Sequence, residues 1–301
     1  MAAAAARVDL PMREMFATTA SDLLIEDARV AIVLAEISDQ LFRSARRHDP
    51  MRVVNVGIAE QTMVGVAAGL AMEGFHPIAH SLAPFMAERP FEQLKLDFGY
   101  QGLGGTFVGA GGSYDYASEG ATHHAPGDLA AMLAIPRMQV LVPGHGVEVA
   151  TLLRSTYDNG EPTYLRTSLA TNNRALDVAP GRLEVVRRGA GPTVLAFGPM
   201  LSRTLRATEG LDATVAYATS VEPFDEQGLV AIMGDRPHLV VVEPWYEGSA
   251  APVLTRALGH LPTTYEFLGV PRRFVHDYGT WAEIDAVLGL DEAGLRARLA
   301  R

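Results

Sequence analysis

Apolar residues along this chain fall into short runs that alternate with amphipathic stretches from one end to the other. Compact aliphatic and β-branched runs at 29–34, 52–56, 106–110 and 138–142 predict strands. Apolar positions spaced by three and four predict helices over 12–26, 60–72 and 147–157. Alternation of this kind predicts a parallel sheet covered by helices on both faces. A polar stretch with proline and glycine at 171–188 predicts a linker, after which a second alternating series begins. Its predicted strands are 193–197, 213–218 and 238–242, with helices near 200–208, 248–258 and 282–288. The expectation is an α/β protein of two domains, the larger over 8–172 and the smaller over 188–301.

Composition narrows the function classes. The 301 residues are 48% hydrophobic and 20% charged, enough to build a sizeable core. With 25 Lys+Arg against 35 Asp+Glu the net charge is −10, which argues against a general nucleic-acid binder. The chain has no cysteine, so disulfides, thiolate metal sites and a cysteine nucleophile are excluded. An alanine-rich start over 1–7 reads as a frayed terminus, too short for a signal sequence. No apolar run approaches the roughly 18 to 20 residues of a membrane span, and a soluble, cytoplasmic protein is expected. His76, His80, His145, His238, His260 and His276 lack metal-ligand spacing, and no Gly-x-Ser-x-Gly elbow supports a serine hydrolase.

The most informative segment is NVGIAEQ (55–61), where a predicted strand turns through Gly57 into the helix that Glu60 opens. Gly65 and Gly69, one turn apart on that helix, permit close approach of another backbone. Taken alone, Glu60 admits two readings, because a first-turn carboxylate is also favoured by the helix dipole. Further motifs change that balance: APFMAERPFEQ (83–93), EGATHH (119–124) and PTYLR (162–166), then VEPFD (221–225), VVVEP (240–244) and FLGVPRRFVHDYG (267–279). In order and spacing they resemble the C-terminal half of the transketolases, over nearly the whole chain from Met12 onward.

That resemblance implies a pyrimidine-binding domain of thiamine diphosphate enzymes followed by a smaller transketolase C-terminal-like domain. Glu60 matches the family glutamate that bonds the cofactor's pyrimidine nitrogen, shifting its amino group toward the imino form that takes the thiazolium proton. Ile58 precedes it in the cofactor loop. By similarity Phe85 stacks on the pyrimidine, while Arg89 and Phe91 shape the wall, and such stacking is worth about 0.5 to 1.5 kcal/mol beyond burial. Leu82 stands where split transketolases usually carry another phenylalanine. His123 matches the family histidine that faces substrate, His124 replaces the usual glutamine, and Glu119 takes the place of an aspartate that reads a substrate hydroxyl.

Absences matter as much. Arg13 matches one phosphate-binding cation of the family, but Gly111 and Leu169 stand where a histidine and an arginine are usual. Arg166, placed as in deoxyxylulose-phosphate synthases, is the candidate compensation. These losses imply an acceptor other than an ordinary sugar phosphate, such as a nucleotide-linked keto sugar or a biosynthetic intermediate. Gly127-Asp128-Leu129 and Gly234-Asp235-Arg236 read as turns or caps, and the chain contains no Gly-Asp-Gly motif. A separate N-terminal subunit carrying the diphosphate and Mg²⁺ is therefore expected, in an α2β2 assembly. The leading expectation is a subunit of a split transketolase, moving a two-carbon ketol unit from a ketose to an aldehyde or ketone. The alternatives are a decarboxylating synthase of the deoxyxylulose-phosphate type, a 2-oxo acid dehydrogenase β subunit, and a non-catalytic partner. Trp245 and Tyr246 suit either a partner contact or internal packing.

Overall fold

A computed structural model of the chain describes residues 10–233 and 238–300. The alanine-rich start and Gly234-Asp235-Arg236 lie outside the described residues. Two sheets organise the rest. The first is built from β1 (Val30–Leu34), β2 (Val53–Asn55), β3 (His76–Leu82), β4 (Gly105–Ala110), β5 (Gln139–Leu141) and β6 (Pro162–Thr167). The second holds β7 (Leu183–Arg187), β8 (Thr193–Phe197), β9 (Thr214–Ala218), β11 (His238–Tyr246) and β12 (Thr264–Val270). A short strand, β10 (Ser220–Glu222), follows β9 in the chain but joins the first sheet.

Within the first sheet the strands from β1 to β6 pair in parallel, in the order β5-β6-β4-β3-β1-β2. All five residues of β1 are buried, because a central parallel strand with helices on both faces meets apolar side chains on each side. Helix α1 (Met12–Glu26) covers this sheet with Phe16, Ala20, Leu23 and Leu24 buried. Helix α2 (Glu60–Met72) follows β2, and α3 (Ala83–Ala87) follows β3 directly. Helix α4 (Asp128–Leu133) and α5 (Gly146–Thr156) complete the unit, with α5 packed on α1.

The 171–188 segment is not wholly a linker, since Leu183–Arg187 is an edge strand running antiparallel to β9. Its five residues are only half-buried and mixed in polarity, which is why its pattern reads as polar connection. The second departure is β10, which leaves the second unit to pair antiparallel with β5, aligning Ser220 with Leu141. Val142 N–H donates to the Thr219 carbonyl at 2.7 Å beside it. The two units thus share a sheet edge, a union made by too few residues to carry a sequence pattern. The periodicity of the chain does not predict strands β3, β6 and β12 either. Among the described residues, no helix is long and apolar enough to cross a membrane.

Candidate active site

Segments leaving the carboxyl ends of β2, β3 and β4 converge, as expected where parallel strands open a crevice. The first runs from Asn55 through Gly57, whose φ of 75° suits glycine, into α2 at Glu60. The second enters α3 without a loop and carries Phe85 and then Arg89. The third runs from Gly111 to Gly127 and holds Tyr116, Glu119, His123 and His124.

Glu60 is 3% exposed, yet both carboxylate oxygens are engaged. Ser81, near the end of β3, donates its hydroxyl to Oε1 at 3.2 Å, and the Arg89 guanidinium donates to Oε2 at 3.0 Å. The same guanidinium lies 3.6 Å from the centre of the Phe85 ring. That ring meets the His123 imidazole edge-on, with centroids 5.2 Å apart. The His123 Nδ1 is 2.9 Å from the Thr122 hydroxyl. Glu60, Phe85, Arg89 and His123 therefore form one cluster, to which the structure adds Ser81. The signal for Ser81 is its position just before the APFMAERPF motif: recognising 76–82 as a strand places it beside Glu60.

Other expected residues lie around this cluster in different states. Ile58 is 77% exposed on the loop before Glu60. Phe91 is half-buried and packs against the apolar core. Glu119 is exposed at the end of the short turn Ala117–Glu119. His124 is buried, and its Nε2 has no partner. Burial lowers the His124 pKa and so favours the neutral imidazole. Arg13, on α1, donates to the Tyr116 hydroxyl at 3.4 Å. Tyr116 also accounts for Gly111: any side chain at that position would collide with the tyrosine ring, and its φ of 74° disfavours other residues. Leu169 is half-exposed, and its backbone N–H donates to Asp115 at 2.8 Å.

Arg166 corrects the sequence-based expectation. It is 1% exposed on β6, with Nε donating to Asp128 at 2.7 Å and another guanidinium nitrogen to the Pro244 carbonyl at 3.0 Å. Its partner Asp128 is fully buried and also accepts from the Tyr164 hydroxyl at 2.9 Å and the Leu129 N–H at 2.8 Å. A guanidinium so enclosed ties β6 to α4 and to the second unit, and does not reach outward for a phosphate. Asp128 is correspondingly more than a helix cap. Trp245 is fully buried against Phe197 and donates its indole N–H to Glu243, which makes it packing, whereas Tyr246 is half-buried with its N–H on the Pro126 carbonyl.

An aromatic face beside a buried carboxylate suits a flat, nitrogen-bearing ring, the shape that Arg89 offers from within the chain. Among the described residues no group of three or more His, Asp and Glu side chains could hold a metal ion. Exposed apolar side chains stand before β2 and at the two ends of α2: Met51 at 84%, Ile58 at 77% and Met72 at 64%. Between them Gly65 and Gly69 on α2 face open space.

Comparison with known proteins matches residues 9–171 to the transketolase pyrimidine-binding domain and 181–294 to the transketolase C-terminal domain. An uncharacterized 33.6 kDa protein of the fasciation locus of Rhodococcoides fascians is 41% identical over 284 residues, covering 93% of this chain and 91% of that protein. A 1-deoxy-D-xylulose-5-phosphate synthase of Azoarcus sp. is 31% identical over 308 residues, covering 96% of this chain but 48% of the synthase, so the chain spans about half its length. One of the subunits of the apulose-4-phosphate transketolase of Phocaeicola vulgatus is 27% identical, with 89% of this chain and 87% of that relative aligned. A solved structure described as a split gene transketolase, inactive beta4 tetramer, superposes with a TM-score of 0.85 at 26% identity, covering 97% of each chain.

Proposed function

The chain belongs to the transketolase family, and from that premise we propose that it is the pyrimidine-binding subunit of a split, thiamine diphosphate-dependent transketolase. One observation carries the reading: a buried Glu60, fixed by Ser81 and Arg89, stands beside the Phe85 and His123 rings. The residues fit the cofactor, because the guanidinium now stacked on Phe85 and bonded to Glu60 has the flat shape and N–H donors of an aminopyrimidine. When bound, thiamine diphosphate supplies the carbanion chemistry. In this chain Phe85 orients the ring, Glu60 holds a proton at its nitrogen once the ring takes the place of Arg89, and Ser81 fixes the carboxyl group. His123 moves a proton at the substrate's carbonyl or hydroxyl oxygen.

The remaining requirements fall to a partner. Mg²⁺ and the diphosphate would be bound by an N-terminal subunit seated along α2, on the exposed Ile58 and Met72 and the open Gly65 and Gly69, giving α2β2. The match to an inactive beta4 tetramer supports the need for a second chain. The reaction on this reading is ketol transfer in the cytoplasm. With Tyr116 filling the space beside Gly111 and Arg166 enclosed, Arg13 is left as the matching cation, which supports an acceptor other than an ordinary sugar phosphate. A decarboxylating condensation is the second reading, favoured by synthase relatives as high as 36% identical over the aligned region.

Calorimetry tests the central claim. Thiamine diphosphate with Mg²⁺ is expected to bind tightly only after a cognate chain carrying a Gly-Asp-Gly domain is added. Tight binding by this chain alone would remove the partner requirement, and absence of binding in every cognate mixture would favour a non-catalytic subunit. Release of carbon dioxide during turnover of the reconstituted enzyme would select the second reading.

A further inference from the structure

The loop from Gly111 to Gly127 carries His123 to the Phe85 ring, but its own unit grips it mainly near its two ends. The Thr167 carbonyl accepts the N–H groups of Gly111 and Gly112 at 3.1 Å, and the Ala125 N–H donates to the Ser113 carbonyl at 2.6 Å. Between these ends, among the described residues, every hydrogen bond of 117–123 stays within the loop. A tip with so few outside bonds is easily displaced, yet the contact of His123 with Phe85 requires it in one place.

Support for the tip comes from the second unit. The Tyr278 ring rests on Gly120, where a Cβ would lie 2.9 Å from Cε1 of the ring. Gly120 has φ 72° and ψ −167°, a region that glycine alone adopts readily, so bare backbone meets the tyrosine. The Gly120 carbonyl accepts the His123 N–H at 2.9 Å, and the His123 imidazole stands edge-on to Phe85 at 5.2 Å. One line of contacts therefore runs from Tyr278 through Gly120 and His123 to Phe85. We propose that Tyr278 is a positioning residue, which holds the His123 imidazole against Phe85 from the second unit. Only the catalytic consequence of that placement rests on the proposed function.

The chain fixes Tyr278 on both sides. Val275, three residues earlier, is buried in the same apolar cluster as Tyr114 from the base of the loop. Thr280, two residues later, caps the helix Trp281–Leu288 reciprocally with Glu283: its N–H donates to the Glu283 carboxylate at 2.8 Å, and its hydroxyl accepts the Glu283 N–H at 3.3 Å. The same helix bears Asp285, whose buried carboxylate accepts from the Tyr114 hydroxyl and, at 2.7 Å, from Arg203. One short helix thus ties down the base of the loop through Asp285 and its tip through Tyr278. Tyr278 itself is 71% exposed, so its ring adds little to the core, and what it bears on is the backbone beneath it.

Proton–carbon spectra of the full chain, labelled at histidine, test this without turnover. The His123 ring signals are assigned through His123→Gln, and Phe85→Leu marks where they fall once the phenylalanine ring is gone. In Tyr278→Ala the His123 ring protons are expected to move about half of the way to that mark or further. Those of His80, buried beside Phe16, are expected to stay in place. Tyr278→Phe keeps the ring and is expected to leave His123 as in the natural chain. Unmoved His123 signals in Tyr278→Ala, an equal displacement in Tyr278→Phe, or a joint displacement of His80 from general loosening would each overturn the proposal. In the reconstituted enzyme Tyr278→Ala is expected to lower kcat about 10- to 100-fold with thiamine diphosphate affinity unchanged. Displaced His123 signals with an unchanged kcat would uphold the positioning and overturn the proton-moving role given to His123, so the two failures are distinguishable.

Discussion

Two arginine–carboxylate pairs of similar length occupy neighbouring parts of one sheet in opposite surroundings. Arg89 meets Glu60 at 3.0 Å with the arginine 43% exposed, and Arg166 meets Asp128 at 2.7 Å with both side chains at 1% or less. The first arginine lies on an aromatic face at the crevice, and a bound ring can displace or join it. The second is sealed among Tyr164, Trp245 and the Pro244 carbonyl, so its charges have no exit. Distance alone does not tell which of the two pairs is the candidate for chemistry. Access to solvent and the character of the adjoining surface do.

The contrast can be broken first at Glu60. Glu60→Gln removes the shareable proton, and turnover of the reconstituted enzyme is expected to fall by about 10²–10⁴-fold while subunit association, followed by sedimentation, stays intact. Unchanged kcat would show that the exposed pair is no more catalytic than the buried one. At the sealed pair, Asp128→Ala leaves an uncompensated guanidinium, and urea unfolding should show a loss of about 3–5 kcal/mol. A loss below about 1 kcal/mol would mean water reaches Arg166 after all.

Between these extremes lies Asp115, buried and pushed up to about 6 from 3.8, chiefly by its burial. A carboxyl that binds its proton more tightly when folded gives its full stabilisation below the unfolded pKa and loses it as pH rises through the folded one. Asp115→Asn should therefore gain on the natural protein between pH 3.8 and about 6, by about 3 kcal/mol, in paired denaturation curves. A constant gap across that window would show that Asp115 does not titrate as assigned. The smallest effect is expected at Arg154 and Glu26, joined at 2.7 Å but 41% and 55% exposed. Arg154→Ala should change stability by less than about 1 kcal/mol, and the difference should fade with added salt.

Much of this site is legible in the sequence because its parts are local. Glu60 is fixed by a strand, a glycine turn and a helix start within a few residues, and Phe85 with Arg89 sits in one short motif. Ser81 escapes a sequence reading because 76–82 does not announce itself as a strand, and so its meeting with Glu60 across 21 positions is invisible. Tyr116 escapes for a related reason: its ring fills space beside Gly111 only after the 111–127 loop folds back.

The sequence by itself determined the α/β alternation, the helix Met12–Glu26, the buried run Val30–Leu34 and the motifs that identify the family. Those features depend on periodicity and on side-chain chemistry within short windows. Only the tertiary structure decided that Arg166 is enclosed by Asp128, that Ser220–Glu222 joins the first sheet, and that His124 faces a cleft made with the second unit. Each of these depends on which distant atoms share a buried volume, where the loss of water makes a charge structural or leaves a polar atom without a partner.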